Sequence, residues 1–262
     1  MSESKSGPRD VSRRDALAVL ALGSAALVAG CPSEVPPPHR ESPPPGANAM
    51  TFPPSLAGTH KPVPLPFAPS SLNGISERMI SSHHENNYTG AVKNLNRVEQ
   101  ELSQITADTP PFLVAALRDR ELTFRNSKAL HEAYFANLGG DGKRSGAIES
   151  ALSEAYGTTA RWEQHMRATG MGLGGGSGWV VLAYETDTGL LRTVGAANHT
   201  QVLAVGIPLL VMDMYEHSYQ MDFGAAVPKY LDAFFANVKW DEVNRRLDRA
   251  QKAAAILRTN TT

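Results

Sequence analysis

A proline-rich tract constrains this chain most, because it removes a long stretch from any packed fold. Thirteen of the thirty-nine residues from 32 to 70 are proline, including two runs of three. Such a composition favours an extended polyproline II chain and cannot bury a core. We therefore predict that residues 31–70 form a tether in which His60 is solvated, and that the fold lies within residues 71–262.

The first thirty residues have the pattern of an export signal. Arg13-Arg14 precedes an apolar run from Ala16 to Ala29, which is short for a bilayer span and ends in small residues. The paired arginines resemble a twin-arginine signal. The end of the run and Cys31, the chain's one cysteine, resemble a bacterial lipobox, whose cysteine is lipidated. We expect an exported protein of the periplasm or cell envelope, attached to a membrane only through lipid on Cys31; the alternative is an uncleaved apolar anchor.

Composition excludes several classes of protein. The chain has 262 residues and a formal net charge of -1, whereas a nucleic-acid-binding protein normally carries a basic stripe. A single cysteine gives neither a disulfide framework nor a cysteine-based zinc cluster. Any metal site must therefore be built from His, Asp and Glu.

The first half of the folded part is predicted to be a helical hairpin, residues 71–140. One helix is expected from Ser76, a suitable N-cap, to about residue 105. A second is expected from about 112 to 138, after a break at Pro110-Pro111. The short connection favours antiparallel packing.

The second part, residues 141–262, is predicted to be an α/β domain that binds metal. We expect short helices, then three strands, then a closing helix. The fold class is therefore α+β, an N-terminal antiparallel helical hairpin followed by a small three-stranded antiparallel sheet with surrounding helices. The expected ranges are helices at 145–156, 158–169 and 228–249, and strands at 179–185, 190–196 and 206–212.

Four side chains are candidates for a metal site. Asp213 and His217 are four residues apart, a spacing that places both on one face of a helical turn. Taken alone, this pair is more typical of a helix-capping Asp and a core or interface His than of a metal site. His83 and His131 lie on the two predicted helices, and three imidazoles with one carboxylate suit iron or manganese without excluding zinc.

These residues fall within segments that resemble one family in order along the chain. Residues 213–219, DMYEHSY, resemble the D-x-W-E-H-A-Y signature of the iron/manganese superoxide dismutases. Further matching segments, all within residues 64–248, are Leu65-Pro66-Phe67, His83-His84 followed by Val92 to Asn96, His131 to Leu138, Gly176 to Trp179, Asn198-His199, and Phe234-Phe235 followed by Val238 to Trp240.

The resemblance implies a superoxide dismutase with one iron or manganese ion per subunit. The implied ligands are His83, His131, Asp213 and His217, and superoxide is converted to oxygen and hydrogen peroxide. The residues do not decide between iron and manganese. A second hypothesis, from another class, is a metal-binding lipoprotein of the same fold with impaired catalysis.

The resemblance also implies roles around the ligands, some at changed positions. His199 occupies the place of the family's partner of metal-bound solvent, although an ordinary loop histidine is the alternative. Ala91 replaces the family's gateway tyrosine, and Tyr88 is the candidate substitute. Aromatic residues implied to line the site are Trp179, Phe135 and Tyr215, the last two in place of tryptophans.

A homodimer is implied by the same resemblance. Glu216 matches the family residue that crosses the interface to the metal-ligating histidine of the other subunit, and Tyr219 is also kept. The alternative for Glu216 is a solvated charge on a helix.

Overall fold

The fold is described by a computed structural model for residues 53–259; the predicted signal and most of the predicted tether lie outside this range. Helix α1 (Glu77–Ser82) begins after Ser76, whose hydroxyl oxygen accepts a 3.1 Å hydrogen bond from the backbone N–H of Met79. Ser76 is thus the predicted cap.

The predicted single helix from 76 to 105 consists of three segments. Helix α1 passes directly into a π-helical turn (His83–Tyr88), and helix α2 (Thr89–Leu102) follows without a gap. A π-helical turn holds more residues per turn than an α-helix, so it changes the direction of the side chains that it carries. His83 is its first residue, so the irregular turn lies at a predicted metal ligand.

Helix α3 (Pro111–Ala136) packs against α2 and begins with a proline. Proline suits the first turn of a helix, where its missing N–H group has no partner to lose. Arg125 forms an ion pair with Glu99 of α2, and Glu132 accepts a hydrogen bond from Tyr88. These contacts join α3 to the segment that carries His83.

The three predicted strands form one antiparallel sheet in the order β2-β1-β3. Their ranges are β1 (Trp179–Glu185), β2 (Leu191–Ala196) and β3 (Gly206–Asp213). Every residue of the central strand β1 is buried, as expected for a strand covered on both faces. Trp179 pairs with Asp213, so both lie at the same end of the sheet.

Helices surround the sheet. They are α4 (Ala147–Tyr156), α5 (Thr159–Leu173), the short α6 (Gln220–Phe223), α7 (Val227–Ala236) and α8 (Trp240–Thr259). Residues 53–259 belong to one compact unit, and side chains of the early helices and of the sheet share a hydrophobic core.

The predicted helix 228–249 is wrong, because the chain leaves the helical path between α7 and α8. Asn237 forms the break: its side chain is nearly inaccessible and bonds to the backbone N–H and C=O of Asn73, each at 2.7 Å. Its own carbonyl accepts from Gly140 at 3.0 Å. These long-range hydrogen bonds replace those that would continue the helix.

The end of the predicted tether is also corrected. Residues 56–66, here called the strap, lie against α2. The backbone N–H and C=O of His60 bond to the side chain of Asn96 at 2.8 and 2.9 Å, and its ring meets Glu99. His60 is therefore not a solvated tether residue. Side chains of the helical segments accept hydrogen bonds from three backbone N–H groups of the strap, those of Gly58, His60 and Val63.

Within the described residues 53–259, no helix combines the length and apolar character needed to cross a membrane.

Candidate metal centre

The four predicted ligands come together although they belong to four separate segments. His83 lies in the π-helical turn, His131 on α3, Asp213 at the end of β3, and His217 in a 3-10 turn (Glu216–Ser218). One donor atom of each lies within 4.8 Å of the others. The side chains of the first three are almost completely buried, and that of His217 is 26% exposed.

One carboxylate oxygen forms the centre of the group. Asp213 Oδ2 lies 3.2 Å from Nε2 of His83, 3.7 Å from Nε2 of His131 and 3.4 Å from Nε2 of His217. The other oxygen, Oδ1, accepts a 2.8 Å hydrogen bond from the backbone N–H of Tyr215. The turn after β3 therefore fixes the orientation of the carboxylate.

The predicted helical turn from Asp213 to His217 is wrong in its geometry. Asp213 remains in the sheet through its pairing with Trp179, and a tight turn returns the chain so that His217 faces it. The hydroxyls of Ser218 and Tyr230 both donate to the carbonyl oxygen of Asp213, at 2.9 and 2.7 Å. The two side chains meet through this turn and not through a helical repeat.

The converging atoms have no hydrogen-bond partner among the described residues. They are Nε2 of His83, His131 and His217, and Oδ2 of Asp213. Leaving a buried polar atom unpaired costs about 1–3 kcal/mol, so four such atoms at one point call for a shared partner. Three imidazole nitrogens and one carboxylate oxygen suit iron or manganese. The residues therefore fit the implied ion.

The protonation states of the donors also suit a metal. Burial lowers the pKa of His131 to about 3, and burial lowers the pKa of His83 as well. Burial opposes the charge of Asp213, but contacts with His217 and His83 outweigh it and hold the pKa of the carboxyl well below its usual range. His131 and His83 are thus neutral and Asp213 is ionised at neutral pH, the forms that bind metal ions.

His131 is held in the orientation that exposes its binding nitrogen. Its Nδ1–H donates to the backbone carbonyl of Ser127 at 2.7 Å. In a neutral ring the proton on Nδ1 leaves a lone pair on Nε2. Ser127 lies one helical turn before His131, so α3 itself supplies this partner.

Aromatic rings surround the donors. The ring centroid of Trp179 lies 5.0 Å from that of His131, that of Phe135 lies 5.1 Å from that of His83, and that of Tyr215 lies 5.4 Å from that of His217. Sequence analysis missed Tyr134, whose ring is 5.3 Å from that of His83. Tyr134 lies three residues after His131 and therefore on a nearby face of α3. This spacing is the sequence signal that could have identified it as a lining residue.

His199 lies beside the cluster in a second layer. Its ring centroid is 6.3 Å from that of His131 and stacks on Tyr215 at 4.8 Å. Its Nδ1 accepts a 2.9 Å hydrogen bond from the indole N–H of Trp179. Burial lowers the pKa of His199, which favours the neutral ring.

Tyr88 is close to the cluster, but its hydroxyl is already engaged. The hydroxyl donates to Glu132 and accepts from the backbone N–H of Val63 in the strap, both at 2.7 Å. Its ring centroid lies 6.2 Å from that of His131. Tyr88 thus contributes its ring to the wall, while its hydroxyl bonds to the strap and α3.

The two predicted interface residues have different environments. Glu216 is exposed and forms no ion pair with any residue between 53 and 259. Tyr219 is buried, and its hydroxyl oxygen accepts from the backbone N–H of Gly175 at 3.0 Å. Tyr219 therefore supports the turn that follows His217.

Comparisons with known proteins agree with this geometry. Residues 144–246 match the family described as iron/manganese superoxide dismutases, C-terminal domain. The "Superoxide dismutase [Fe]" of Cupriavidus metallidurans is 44% identical over 188 residues, covering 71% of this chain and 95% of the relative. That of Aquifex pyrophilus is 34% identical over 211 residues, covering 77% and 98%.

A manganese relative is similar as well. The "Superoxide dismutase [Mn] 2" of Haloferax volcanii is 32% identical over 193 residues, covering 71% of this chain and 94% of the relative. The predicted enzyme class and the predicted iron or manganese ion are thus confirmed. This chain belongs to the iron/manganese superoxide dismutase family.

Proposed function

We propose that His83, His131, Asp213 and His217 hold the iron or manganese ion of each subunit. The observation that carries this assignment is the meeting of four buried, unpaired donor atoms within 4.8 Å of one another. Solvent completes the set of ligands. When bound, the ion supplies a one-electron couple that oxidises one superoxide to oxygen and reduces the next, with two protons, to hydrogen peroxide.

The protein's own groups set the charge of this centre. Three neutral imidazoles and one carboxylate bring a single negative charge to a cation of charge two or three. The centre therefore stays positive in a buried, low-dielectric environment, although the whole chain has a net charge of -1. This local charge attracts anionic superoxide, and the surrounding rings exclude bulk water.

We infer that His199 is the hydrogen-bond partner of the solvent beside the ion. Support comes from its place 6.3 Å from His131 and from its Nε2, which bonds to none of the described residues. Trp179, Phe135, Tyr215 and the ring of Tyr88 form the wall. A partner of the solvent tunes the redox potential, so His199 contributes to the choice between iron and manganese.

The N-terminal helical hairpin is proposed as the half of the fold that carries His83 and His131. The contacts of Glu99 with Arg125 and of Tyr88 with Glu132 support antiparallel helices, since a later residue of the first segment meets an earlier residue of α3.

We further propose that the enzyme is exported and tethered to a membrane by lipid on Cys31. Support comes from the paired arginines, the apolar run, the single cysteine at its end and the proline-rich tract that follows. A homodimer is proposed as well, with Glu216 of each subunit bonded to His217 of the partner subunit. Glu216 is exposed and has no ion-pair partner within residues 53–259, which supports this proposal.

Superoxide decay per bound metal ion tests the proposed function. The full chain is loaded separately with iron and manganese, metal content is measured, and decay is followed by pulse radiolysis. We expect catalysis with at least one metal, and loss of metal in His131→Ala. Full occupancy with no catalysis by either metal would contradict the enzyme, and retention of metal by His131→Ala would contradict the ligand assignment.

A further inference from the structure

The first two turns of α3 are apolar on every side and yet exposed. Residues 111–117, PFLVAAL, contain no charged or polar side chain. Five of these seven residues are exposed, and Phe112 and Leu113 are 77% and 44% exposed. A helix that is apolar all round is normally buried. Residues 111–117 are here called the apolar tip.

The helix beside it shows the usual division of a surface helix. Every exposed residue of α2 is polar or charged, namely Lys93, Asn94, Arg97, Gln100 and Glu101. In the loop between the two helices, residues 103–110, Asp108 is the one charged residue. An exposed apolar patch bounded by polar surface marks a site of interaction. The apolar tip therefore calls for a surface that covers it.

The apolar tip projects beyond its partner helix. Glu99 of α2 pairs with Arg125 of α3, so these two residues lie at one level of the hairpin. Helix α2 continues for three residues after Glu99, whereas α3 begins fourteen residues before Arg125. At about 1.5 Å per residue, the start of α3 lies roughly 16 Å beyond the end of α2. A flat surface can therefore meet the apolar tip before it meets α2.

The strap brings the chain to the fold from the same side. Its contacts with the helical segments follow in antiparallel order: Val63 with Tyr88, His60 with Asn96, and Gly58 with Glu99. The first residues of the strap thus lie nearest the end of α2, where the hairpin turns. Twenty-one residues, 32–52, separate the strap region from Cys31. A polyproline II chain of that length spans about 65 Å.

We propose that the apolar tip docks on the lipid bilayer to which the chain is anchored, with Phe112 and Leu113 among the lipid groups below the water interface. This inference rests on the proposed anchor at Cys31 and goes beyond the dismutase function. The anchor makes docking an intramolecular event, so a small apolar contact is sufficient. Residues 103–117 contain no Lys or Arg, so the attraction is to apolar lipid rather than to anionic headgroups.

Docking would also fix how far the metal centre lies from the bilayer. His131 lies twenty residues after Pro111 on the same helix, which is about 30 Å along the helix axis. The metal-binding cluster would therefore be held within about 30 Å of the lipid surface, closer than the tether alone requires.

The water accessibility of a spin label beside the apolar tip tests the docking. Cys31 is the one natural cysteine and carries the proposed lipid, so a nitroxide attaches only to a thiol introduced by Ala116→Cys, one turn after Phe112. The lipidated protein is reconstituted into phosphatidylcholine vesicles. Collisions of the label with oxygen, which is enriched among acyl chains, are compared with collisions with a water-soluble nickel chelate. We expect oxygen to dominate at position 116 and nickel to dominate for Leu190→Cys, an exposed apolar position of the sheet.

Removal of one apolar side chain gives the matched comparison. Phe112→Ser should lower the ratio of docked to undocked protein about tenfold, the effect of withdrawing one large apolar side chain from lipid. Leu190→Ser, which removes an apolar side chain that is 52% exposed, should leave the ratio unchanged. Metal content and superoxide decay per metal should be the same in both variants, because neither residue touches the metal-binding cluster.

The outcomes separate this inference from the proposals on which it rests. A label at position 116 as accessible to nickel as one at position 190, or equal effects of the two serine variants, would overturn the docking. Protection that appears only as the number of copies per vesicle rises would assign the apolar tip to a second copy of the chain and overturn it as well. Protein that does not float with the vesicles would contradict the anchor and the docking together. Loss of superoxide decay in a docked, metal-loaded wild type would contradict the dismutase function alone.

Discussion

The ring nitrogen Nε2 of His60 lies 2.9 Å from a carboxylate oxygen of Glu99, and this contact fastens the strap to helix α2. The side chain of Glu99 is only 2% exposed and also accepts from Arg125 and, at 3.0 Å, from the backbone N–H of Gly58. A buried carboxylate needs such donors to offset its desolvation. The strap is therefore held by charged hydrogen bonds rather than by a large apolar surface.

Glu99→Gln should destabilise the protein by about 1–3 kcal/mol, because a neutral amide cannot accept from all three donors as a carboxylate does. The matched control is Glu101→Gln on the same helix, whose exposed ion pair with Arg97 should contribute less than about 1 kcal/mol. Urea unfolding of both variants measures the difference. Equal losses in the two variants would show that the buried contact does not hold the strap.

Lowering the pH should reduce the free energy of unfolding of the metal-free protein, because its buried histidines bind protons less readily than those of the unfolded chain. Burial lowers the pKa of His131 to about 3, and burial lowers that of His83 too. In the unfolded chain each of these histidines binds a proton near pH 6.5. Their contribution to the free energy of unfolding is therefore complete above that pH and is lost as the pH falls toward 3. For His131 alone the loss is on the order of 5 kcal/mol.

The free energy of unfolding of metal-free protein, measured between pH 7.5 and 4, checks this dependence. His131→Asn is the comparison, since it removes one titrating group and should flatten the curve. A wild-type curve with no slope below pH 6.5, or one as steep in His131→Asn, would contradict the assigned cause.

Local patterns in the sequence predicted the sheet, and the resemblance to a family implied the four metal-binding candidates. The strands have apolar runs separated by turn residues, and β1 and β3 were predicted to within one residue of their observed ends. His83, His131, Asp213 and His217 were identified because their order along the chain matches a family, and the structure brings them together. Each of these signals is carried by neighbouring residues or by fixed motifs.

The differences arise where distant residues decide the local geometry. The π-helical turn at His83 lies against α3, far along the chain. The break at Asn237 depends on Asn73 and Gly140, and the strap depends on Asn96 and Glu99. Helix propensity and proline content do not report such contacts between distant residues. The sequence therefore predicted one continuous helix from 76 to 105, one helix from 228 to 249, and a tether without contacts to the fold.

Tyr88→Phe should leave superoxide decay per bound metal within about threefold of the wild type. Both hydrogen bonds of the hydroxyl go to Glu132 and Val63, so its removal takes no donor from the metal centre. The variant should instead lose about 1–2 kcal/mol of its free energy of unfolding, because the carboxylate of Glu132 and the backbone N–H of Val63 each lose a hydrogen-bond partner. Activity per metal and urea unfolding separate the two effects; a tenfold loss of activity with unchanged stability would assign the hydroxyl a part in proton transfer.

Glu216→Ala should weaken the proposed homodimer and leave the fold intact. Glu216 has no ion-pair partner within residues 53–259, so its removal costs nothing inside one subunit, whereas a charged hydrogen bond to the partner's His217 would be lost. Sedimentation velocity over a range of concentrations measures the change. Glu154→Ala, on an exposed part of α4, is the control. A monomeric wild type, or equal dissociation of the two variants, would contradict the bridge.

Cys31→Ser should release the protein from membranes without altering its metal content. The thiol of Cys31 is the only one in the chain, and serine cannot form the thioether that a lipidated cysteine carries. Cys31 precedes the strap in sequence, and the change from thiol to hydroxyl is small, so it should leave the fold intact. Fractionation of the producing cells, with Ser33→Ala as the neighbouring control, measures membrane attachment. Continued attachment of Cys31→Ser would mean that the uncleaved apolar run from Ala16 to Ala29 is itself the anchor.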